Sequence, residues 1–342
     1  MLKYELQNAA DKLIKDIFHV HTEETVAITA DTCSDMDVVD SIASSVVAAG
    51  GKPLVMINKT ANGIGQVADP DLPIDSLAGA LSNCDVWIEC NHSWLLYSTP
   101  YVIATRDNSK LRYMCLVDFE PGVFHRVIGQ VEIEPLKEFM LAAKEVHLVA
   151  KNVRVTTPAG TDVSFEMDHN HFLATDYGDA SLPGIHMVPG QFNIVPKFGS
   201  VNGKIVFDGT ITPPFSRIPD QPVKLTIENG IITDVNGGMD AKAYYKWLKD
   251  FDDPGMFKMA HIAYGFNTGA MLTGNVVEDE RIWGCTEWGI GFVSPSDAPP
   301  TGQNAISHSD GICLNSSIYL DGVPFMIEGN VVHEEVKHLA LK

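Results

Sequence analysis

The 342-residue sequence lacks the features that mark membrane proteins and exported proteins. No run approaches the roughly 20 apolar residues that a membrane-spanning helix needs. The opening stretch, M-L-K-Y-E-L-Q-N-A-A-D-K-L-I-K, has no apolar core of the kind found in signal peptides. We therefore expect a cytoplasmic protein without a membrane partner.

Basic residues are also scarce. Lys and Arg number 24 against 44 Asp and Glu, which gives a formal net charge of −20. Such a charge repels phosphate backbones and anionic lipid, so nucleic acid and membrane surfaces are excluded as expected partners.

Cysteine pairs with metal-binding or redox spacing are missing. None of the six cysteines forms a C-x-x-C motif, and several lie in apolar, strand-like runs. This distribution predicts reduced, buried thiols in a reducing compartment. The six residues are Cys33, Cys84, Cys90, Cys115, Cys285 and Cys313.

The N-terminal half alternates between helical and strand-like patterns, which predicts a parallel sheet covered on both faces. Residues 2–18 carry apolar residues at three- and four-residue steps, typical of an amphipathic helix. The turn after the first strand, D-T-C-S-D, lacks the glycines that a dinucleotide pyrophosphate requires. The expected domain is therefore Rossmann-like but not dinucleotide-binding. The predicted strands are 25–30, 53–58, 85–90, 111–117 and 145–150, and the later helices are 37–49, 73–82, 99–106 and 135–144.

The pattern changes near residue 151, where strand–turn–strand motifs take over. Residues 152–167 alternate around a Pro-Ala-Gly-Thr turn, and two later segments carry Asn-Gly pairs expected at hairpin tips. One helix is expected at 241–251 and a last hairpin at 318–332. We therefore predict an α/β domain over residues 1–150 and a mainly antiparallel β, or α+β, metal-binding domain over residues 151–342.

His261, His308 and Asp310 are the residue types that hold a mononuclear non-haem Fe(II). In the H-S-D segment, both outer side chains point to one side of an extended chain. A third ligand from a neighbouring strand would complete the set and leave open positions for substrate and O2. The alternative is that His261, which lies in an apolar run, is a hydrogen-bonded core residue.

The second half resembles the C-terminal domain of the thermophilic-type metallo-aminopeptidases. The order and spacing of its motifs match over roughly residues 150–342, and the first half is compatible with the α/β domain of that family. The motifs are A-G-T-D (159–162), P-G-Q-F-N-I-V-P (189–196), V-N-G-K-I-V-F-D-G (201–209), E-N-G-I-I-T-D-V-N-G-G (228–238), H-I-A-Y-G-F-N (261–267), G-N-V-V-E-D-E-R-I-W-G-C-T-E-W-G-I-G (274–291) and H-S-D (308–310).

The ligands of the two-metal peptidase pattern are largely replaced. The two family glutamates fall at Gln191 and His261, a family histidine falls at Glu287, and a family tyrosine falls at Ser294. An amide cannot serve as a bridging carboxylate, and a two-metal hydrolase needs shared carboxylates to clamp its intermediate.

A second branch of the superfamily, the 2,5-dihydroxypyridine 5,6-dioxygenases, is more similar. The resemblance implies one Fe(II) held by His261, His308 and Asp310, and a substrate-facing histidine at His186. A catalytic histidine of that family falls at Tyr97, within L-L-Y-S. Relatives form homo-oligomers, so the resemblance also implies a homo-oligomer.

The resemblance implies extradiol-type cleavage of a dihydroxylated N-heterocycle with O2, such as 2,5-dihydroxypyridine giving N-formylmaleamate. In that chemistry His186 could take the ring hydroxyl proton, Tyr97 could hydrogen-bond the substrate and Trp94 could stack on the ring. His186 could instead be a buried hydrogen-bonded residue, and the two aromatic residues could cover a domain surface.

The residues are also compatible with other roles for Glu287 and with two other functions. Glu287 could be a fourth ligand, an acceptor for a ligand imidazole or a salt-bridge partner. The chain could be a zinc, manganese or cobalt aminopeptidase-like hydrolase that uses His261, Glu287, His308 and Asp310. It could also be a binding protein that kept the fold and lost the chemistry.

Overall fold

The computed structural model describes residues 3–342, which divide into two compact units. The first comprises the described residues up to Ile133 together with Asp176–Pro189, and the second comprises Glu134–Thr175 and Gly190–Lys342. The α-helices are α1 (Lys3–Lys12), α2 (Met36–Ala48), α3 (Ile74–Leu81), α4 (Thr99–Asp107), α5 (Pro121–Phe124), α6 (Ile133–Val149), α7 (Met239–Asp250) and α8 (Val276–Asp279).

Nineteen strands are present in the described chain. They are β1 (Thr25–Asp31), β2 (Lys52–Asn58), β3 (Val86–Glu89), β4 (Arg112–Cys115), β5 (Asn152–Thr156), β6 (Asp162–Glu166), β7 (Leu173–Asp176), β8 (Gly184–His186), β9 (Gln191–Ile194), β10 (Asn202–Phe207), β11 (Ile211–Thr212), β12 (Val223–Glu228), β13 (Ile231–Asn236), β14 (Met259–Gly265), β15 (Thr286–Val293), β16 (Gln303–Cys313), β17 (Ser317–Leu320), β18 (Val323–Ile327) and β19 (Asn330–Val331).

The first unit contains the predicted parallel sheet. Its order is β2-β1-β3-β4-β8, and each neighbouring pair is parallel. Because β1, β3 and β4 lie inside the sheet, their residues are almost all buried. The last strand, β8, has three residues and comes from a distant part of the chain, so its local sequence gave no prediction of its place.

The first helix follows its predicted apolar stripe. Leu6, Ala9, Leu13 and Ile17 are buried, and α1 continues into a π-helical turn over Leu13–Ile17. The predicted stripe also includes Leu2, which lies outside the described residues.

The second unit contains two antiparallel sheets, as the strand–turn–strand pattern predicts. One has the order β13-β12-β10-β6-β5-β17-β18-β19 and the other β11-β16-β15-β14-β9-β7. Of the two predicted Asn-Gly tips, one is confirmed, since Asn229 and Gly230 join β12 to β13 with φ of 52° and 75°. The other was wrong: Asn202 and Gly203 lie within β10, where a Cβ on Gly203 would be 2.3 Å from the Asp162 carbonyl oxygen.

The predicted strand at 145–150 was also wrong, because α6 continues to Val149. Leu136, Phe139, Ala143 and Val146 are buried at helical spacing. His147 extends the same face; its Nδ1–H donates to the Ala143 carbonyl at 2.7 Å, four residues earlier. The apolar run E-V-H-L-V-A resembles a strand locally, but Val146, His147 and Ala150 are buried while Leu148 and Val149 are exposed, which is the spacing of a helix.

The boundary between the two units differs from the predicted boundary at residue 150. Helix α6 is grouped almost entirely with the second unit, and the segment Asp176–Pro189 returns to the first. All six cysteines are free. Within residues 3–342, none of the helices combines the length and hydropathy needed to cross a bilayer.

His147 predicts how stability depends on pH. Burial, with a smaller contribution from the nearby His333, lowers the pKa of this imidazole from 6.5 to about 4, although its hydrogen bond to Ala143 acts to raise it. Because the folded pKa lies below the unfolded one, the stabilisation is complete above pH 6.5 and is lost as pH falls toward 4. We expect this residue to account for roughly 2 to 3 kcal/mol of stability lost between pH 7 and pH 4.5.

The measurement is urea unfolding of wild type and His147→Phe at both pH values. Phenylalanine suits a site already lined by the rings of Phe192, Tyr264 and Phe325. The variant should lose less stability than wild type as the pH falls. Equal losses would show that the His147 imidazole does not drive this pH dependence.

Candidate metal centre

The structure brings His261, His308 and Asp310 together on one face of the six-stranded sheet. One ligand atom from each lies within 4.8 Å of the others. His308 and Asp310 lie two residues apart on β16, and His308 Nε2 is 2.9 Å from Asp310 Oδ1. His261 Nε2 is 3.9 Å from the same oxygen, and the two imidazole rings are nearly parallel with centroids 5.1 Å apart.

His261 does not come from a strand adjacent to β16. It lies on β14, and β15 runs between the two strands. On β15, Gly289 pairs with Asp310 and Gly291 pairs with His308, so no side chain stands between the ligands. A Cβ on Gly289 would be 2.4 Å from the His261 ring. The imidazole therefore lies directly on the backbone of β15.

A backbone carbonyl sets the tautomer of His308. Its Nδ1 is 2.9 Å from the Phe292 carbonyl oxygen, which can only accept, so Nδ1 carries the proton. Nε2 faces Asp310 Oδ1, to which it donates when it carries a proton, and a bound metal would take the place of that proton. Although burial acts to raise the pKa of Asp310, the charge and hydrogen bond of His308 hold it to about 2. Asp310 is therefore ionised at neutral pH.

Glu287 adds a buried carboxyl group to the cluster. Its Oε2 is 3.0 Å from His261 Nε2, and its side chain is fully buried. Its other oxygen is buried without a hydrogen-bond partner among the residues the structure describes. Burial, followed by the negative charges of Asp310 and Glu280, raises the pKa of Glu287 well above its usual value.

Gln191 belongs to a neighbouring polar network. Its Oε1 accepts from Arg281 Nη2 at 3.0 Å, and Arg281 also forms an ion pair with Glu280. Arg281 is completely buried, with Nη1 donating to the Val277 carbonyl at 2.7 Å. Gln191 thus faces a guanidinium, which any metal at that position would have to displace.

The other predicted site residues, His186, Tyr97 and Trp94, lie in the first unit. His186 ends β8, and its Nε2–H donates to the Leu182 carbonyl at 2.8 Å, leaving Nδ1 as the acceptor. Burial lowers its pKa, which favours the neutral imidazole. Tyr97 is 62% exposed in the loop after β3, and Trp94 is partly buried in the same loop.

The donor set fits a single divalent transition metal. Two neutral imidazoles and one ionised carboxylate suit Fe(II) and related ions. Metal–nitrogen bonds are about 2.1 Å long, so modest side-chain shifts bring all three atoms to one ion. Lone pairs converge here in a partly buried site, and the carbonyl-bound Nδ1 of His308 is the support expected behind a ligand imidazole.

The parallel α/β unit, the antiparallel unit and the His-His-Asp cluster define a protein of the aminopeptidase-like fold with a candidate mononuclear metal centre. The model of the family described as NicX, 2,5-dihydroxypyridine 5,6-dioxygenase, matches residues 12–333. The chain therefore belongs to this family.

A curated relative agrees with that assignment. A 2,5-dihydroxypyridine 5,6-dioxygenase of Pseudomonas putida is 29% identical over 208 residues. The match covers 58% of this chain and 59% of the relative, so it spans about three-fifths of the curated protein.

Two solved structures share the fold. The 2,5-dihydroxypyridine dioxygenase of Pseudomonas putida KT2440 has a TM-score of 0.81 at 22% identity, covering 98% of this chain and 99% of its own. AmpT from Thermus thermophilus has a TM-score of 0.69 at 14% identity, covering 97% and 100%. At these identities the likeness establishes the fold.

Sequence reasoning assigned no role to two features of the centre. Gly289 and Gly291 alternate in the W-G-I-G segment, and two glycines two apart in a strand signal a close approach from one face. Arg281 follows three acidic residues, and all four side chains are buried or nearly so. A charged cluster flanked by apolar segments could have suggested an internal ion-pair network.

Gly289 provides a direct test of the geometry. Gly289→Ala would place a methyl group where the His261 ring lies, so we expect divalent metal affinity to fall by more than tenfold as one ligand is displaced. Gly79→Ala is the control, because a Cβ there meets nothing within 4 Å. Isothermal titration calorimetry with Fe(II) under anaerobic conditions measures the metal affinity of both variants. Unchanged affinity in a folded Gly289→Ala protein would contradict the ligand role of His261.

Proposed function

We propose that this protein is an Fe(II)-dependent, extradiol-type ring-cleaving dioxygenase. Its substrate would be a dihydroxylated N-heterocycle such as 2,5-dihydroxypyridine, giving N-formylmaleamate. The observation that carries the proposal is the convergence of His261, His308 and Asp310 in a chain of the 2,5-dihydroxypyridine 5,6-dioxygenase family. In this reaction a ring carbon–carbon bond breaks and both atoms of O2 enter the product.

The cluster suits that role through its charge and protonation. Bound Fe(II) would supply adjacent positions for O2 and an anionic substrate oxygen. Asp310 provides one negative charge, and the two imidazoles add none. His308 is fixed by the Phe292 carbonyl. Glu287 Oε2 lies 3.0 Å from His261 Nε2, the nitrogen that a metal would use, so a bound metal would replace this contact.

The first unit would supply the acid–base and binding groups. His186 donates through Nε2, which leaves Nδ1 as the acceptor, and its pKa is lowered by burial, so it can take the proton that a ring hydroxyl must lose. Tyr97 presents a phenol that can donate to a substrate oxygen, and Trp94 offers a flat face for stacking on the ring.

The aminopeptidase-like hydrolase is the weaker candidate. A two-metal hydrolase needs a bridging carboxylate. At the corresponding position Gln191 is neutral and accepts from the buried Arg281. Within residues 3–342, none of the observed contacts favours a second metal.

We also propose a cytoplasmic homo-oligomer. The cytoplasmic location rests on the free thiols, five of which are buried. The homo-oligomeric state rests on the resemblance to oligomeric relatives.

The activity is tested by anaerobic reconstitution with Fe(II), followed by O2 uptake with 2,5-dihydroxypyridine and other dihydroxylated N-heterocycles. We expect one iron per chain and one O2 consumed per ring cleaved, because one cluster holds one ion. Two zinc or cobalt ions per chain would favour the hydrolase. Failure of every hydroxylated ring to drive O2 uptake would rule out the dioxygenase.

The ligand set is tested by His308→Ala. Removing one of three ligands should abolish iron binding and O2 uptake, while circular dichroism and thermal unfolding stay close to wild type. His338→Ala is the matched control, since that histidine is exposed in the same unit and lies outside the cluster. Full iron content in His308→Ala would refute the assignment.

A further inference from the structure

Tyr97 is held in a backbone conformation that tyrosine rarely adopts. Its φ is +67°, in the left-handed region, where contacts between the Cβ and the backbone disfavour residues other than glycine. The residue lies in the loop 91–98 between β3 and α4, which contains neither helix nor strand. Its ring is mostly exposed, so burial of the side chain does not offset the strain. Hydrogen bonds elsewhere in the loop contribute to holding this conformation.

Three carboxylates from three separate segments accept backbone N–H groups on both sides of Tyr97. Ser93 N donates to Asp31 Oδ2 at 2.9 Å, and Leu95 N donates to Glu89 Oε1. Thr99 N donates to Asp69 Oδ1 at 2.9 Å. Hydrogen bonds from N–H groups to carboxylates are stronger than neutral ones. Tyr97 is thus bracketed by fixed points two residues before it and two residues after it.

The two anchors before Tyr97 are themselves fixed and buried. Asp31 ends β1 and also accepts from Thr60 Oγ1 at 2.8 Å. Glu89 ends β3 and accepts from Tyr113 Oη at 2.5 Å. Both residues are at most 1% exposed. Burial raises the pKa of Glu89 to about 7, although its hydrogen bonds with Tyr113 and Leu95 act to lower it.

The anchors lie at the carboxyl end of the sheet, where its strand order reverses. The chain passes from β1 to β2 on one side and then to β3 on the other, so Asp31 and Glu89 flank the switch point. Parallel sheets of this kind present their functional loops at that point. Burying two carboxyl groups there is costly unless they are hydrogen-bonded, and both are bonded to the loop 91–98.

Aromatic contacts connect the same anchor to the Tyr97 ring. Tyr97 packs edge-on against Tyr101 at 5.8 Å between centroids, and Tyr101 packs edge-on against Tyr113 at 5.3 Å. Tyr113 is the residue whose hydroxyl donates to Glu89. Glu89 therefore contacts the loop backbone directly and supports the packing behind the Tyr97 ring.

We propose that Glu89, with Asp31 and Asp69, is a positioning residue that holds the loop 91–98 in the strained conformation that presents Tyr97 to the substrate. The presentation to substrate rests on the proposed function, whereas the anchoring of the loop does not. Glu89 acts through Tyr97 and touches no reacting atom. Replacing Glu89 should therefore weaken substrate binding only while Tyr97 is present.

Hydrogen exchange tests the anchoring without any assay of turnover. In wild type we expect the amides of Ser93 and Leu95 to exchange at least tenfold more slowly than those of an unbonded loop, since both N–H groups are bound to carboxylates. Glu89→Met removes the acceptor at similar size and should release protection across 91–98. Glu89→Gln keeps an amide oxygen for Leu95 N and should retain most of it.

Asp85→Leu is the matched control for Glu89→Met. Asp85 lies at the other end of β3 and accepts from Thr25 N at 2.8 Å, so its loss also removes a carboxylate acceptor of a backbone amide. This variant should leave exchange in 91–98 unchanged. Loop amides that exchange freely in wild type, or that respond equally to both variants, would overturn the anchoring.

A double-mutant cycle tests whether Glu89 acts through Tyr97. With iron-loaded protein, we expect Glu89→Met and Tyr97→Ala each to raise KM for 2,5-dihydroxypyridine about tenfold, the size of one lost hydrogen-bonding contact. The double variant should be no worse than Tyr97→Ala. Glu89→Gln should restore KM, and iron content should be unchanged in all variants.

Additive effects in the cycle would overturn the positioning role, because Glu89 would then act independently of Tyr97. Wild-type protein that consumes no O2 with any ring would refute the proposed function. The exchange measurements would still decide whether the carboxylates anchor the loop. The two failures are therefore distinguishable.

Discussion

The candidate metal centre depends on the absence of side chains along part of β15. His261 on β14 and the pair His308 and Asp310 on β16 are separated by a whole strand. They meet because Gly289 and Gly291 carry no side chains at these two positions of β15, which lets the His261 ring lie against the backbone. Adjacent strands lie about 4.8 Å apart, so the ligands span nearly 10 Å of sheet. Any side chain at position 289 would occupy the space in which they converge.

Much of this arrangement can be predicted from local sequence, but part of it cannot. The alternation of side chains along a strand places His308 and Asp310 on one side, and helix–strand alternation predicts the parallel sheet. The two-strand separation of His261 depends on the register between distant segments, which no local pattern encodes. The apolar residues 145–150 suit either a strand or a helix, and only packing around His147 makes them helical.

In the first unit, local sequence likewise does not predict the roles of the acidic residues at the strand ends. Asp31 and Glu89 follow apolar runs and could each serve as a helix cap, a salt-bridge partner or a solvent-exposed charge. The helix cap is instead Asp35, which accepts from the amide of Asp37. The roles of Asp31 and Glu89 become visible only when the loop 91–98 closes over the sheet edge and brings its amides to them.

The interrupted path of the chain has a consequence for how the protein is made. The first unit is encoded mainly before residue 134, yet its edge strand β8 is supplied by Gly184–His186. During synthesis, β4 emerges about seventy residues before β8 (Gly184–His186 against Arg112–Cys115), the strand that covers its free edge. At about 5–20 residues per second, that edge is open for several seconds on the ribosome. A single cut near residue 134 would likewise yield an N-terminal fragment with an exposed β4. The first unit therefore needs a segment that lies within the sequence of the second to complete its sheet.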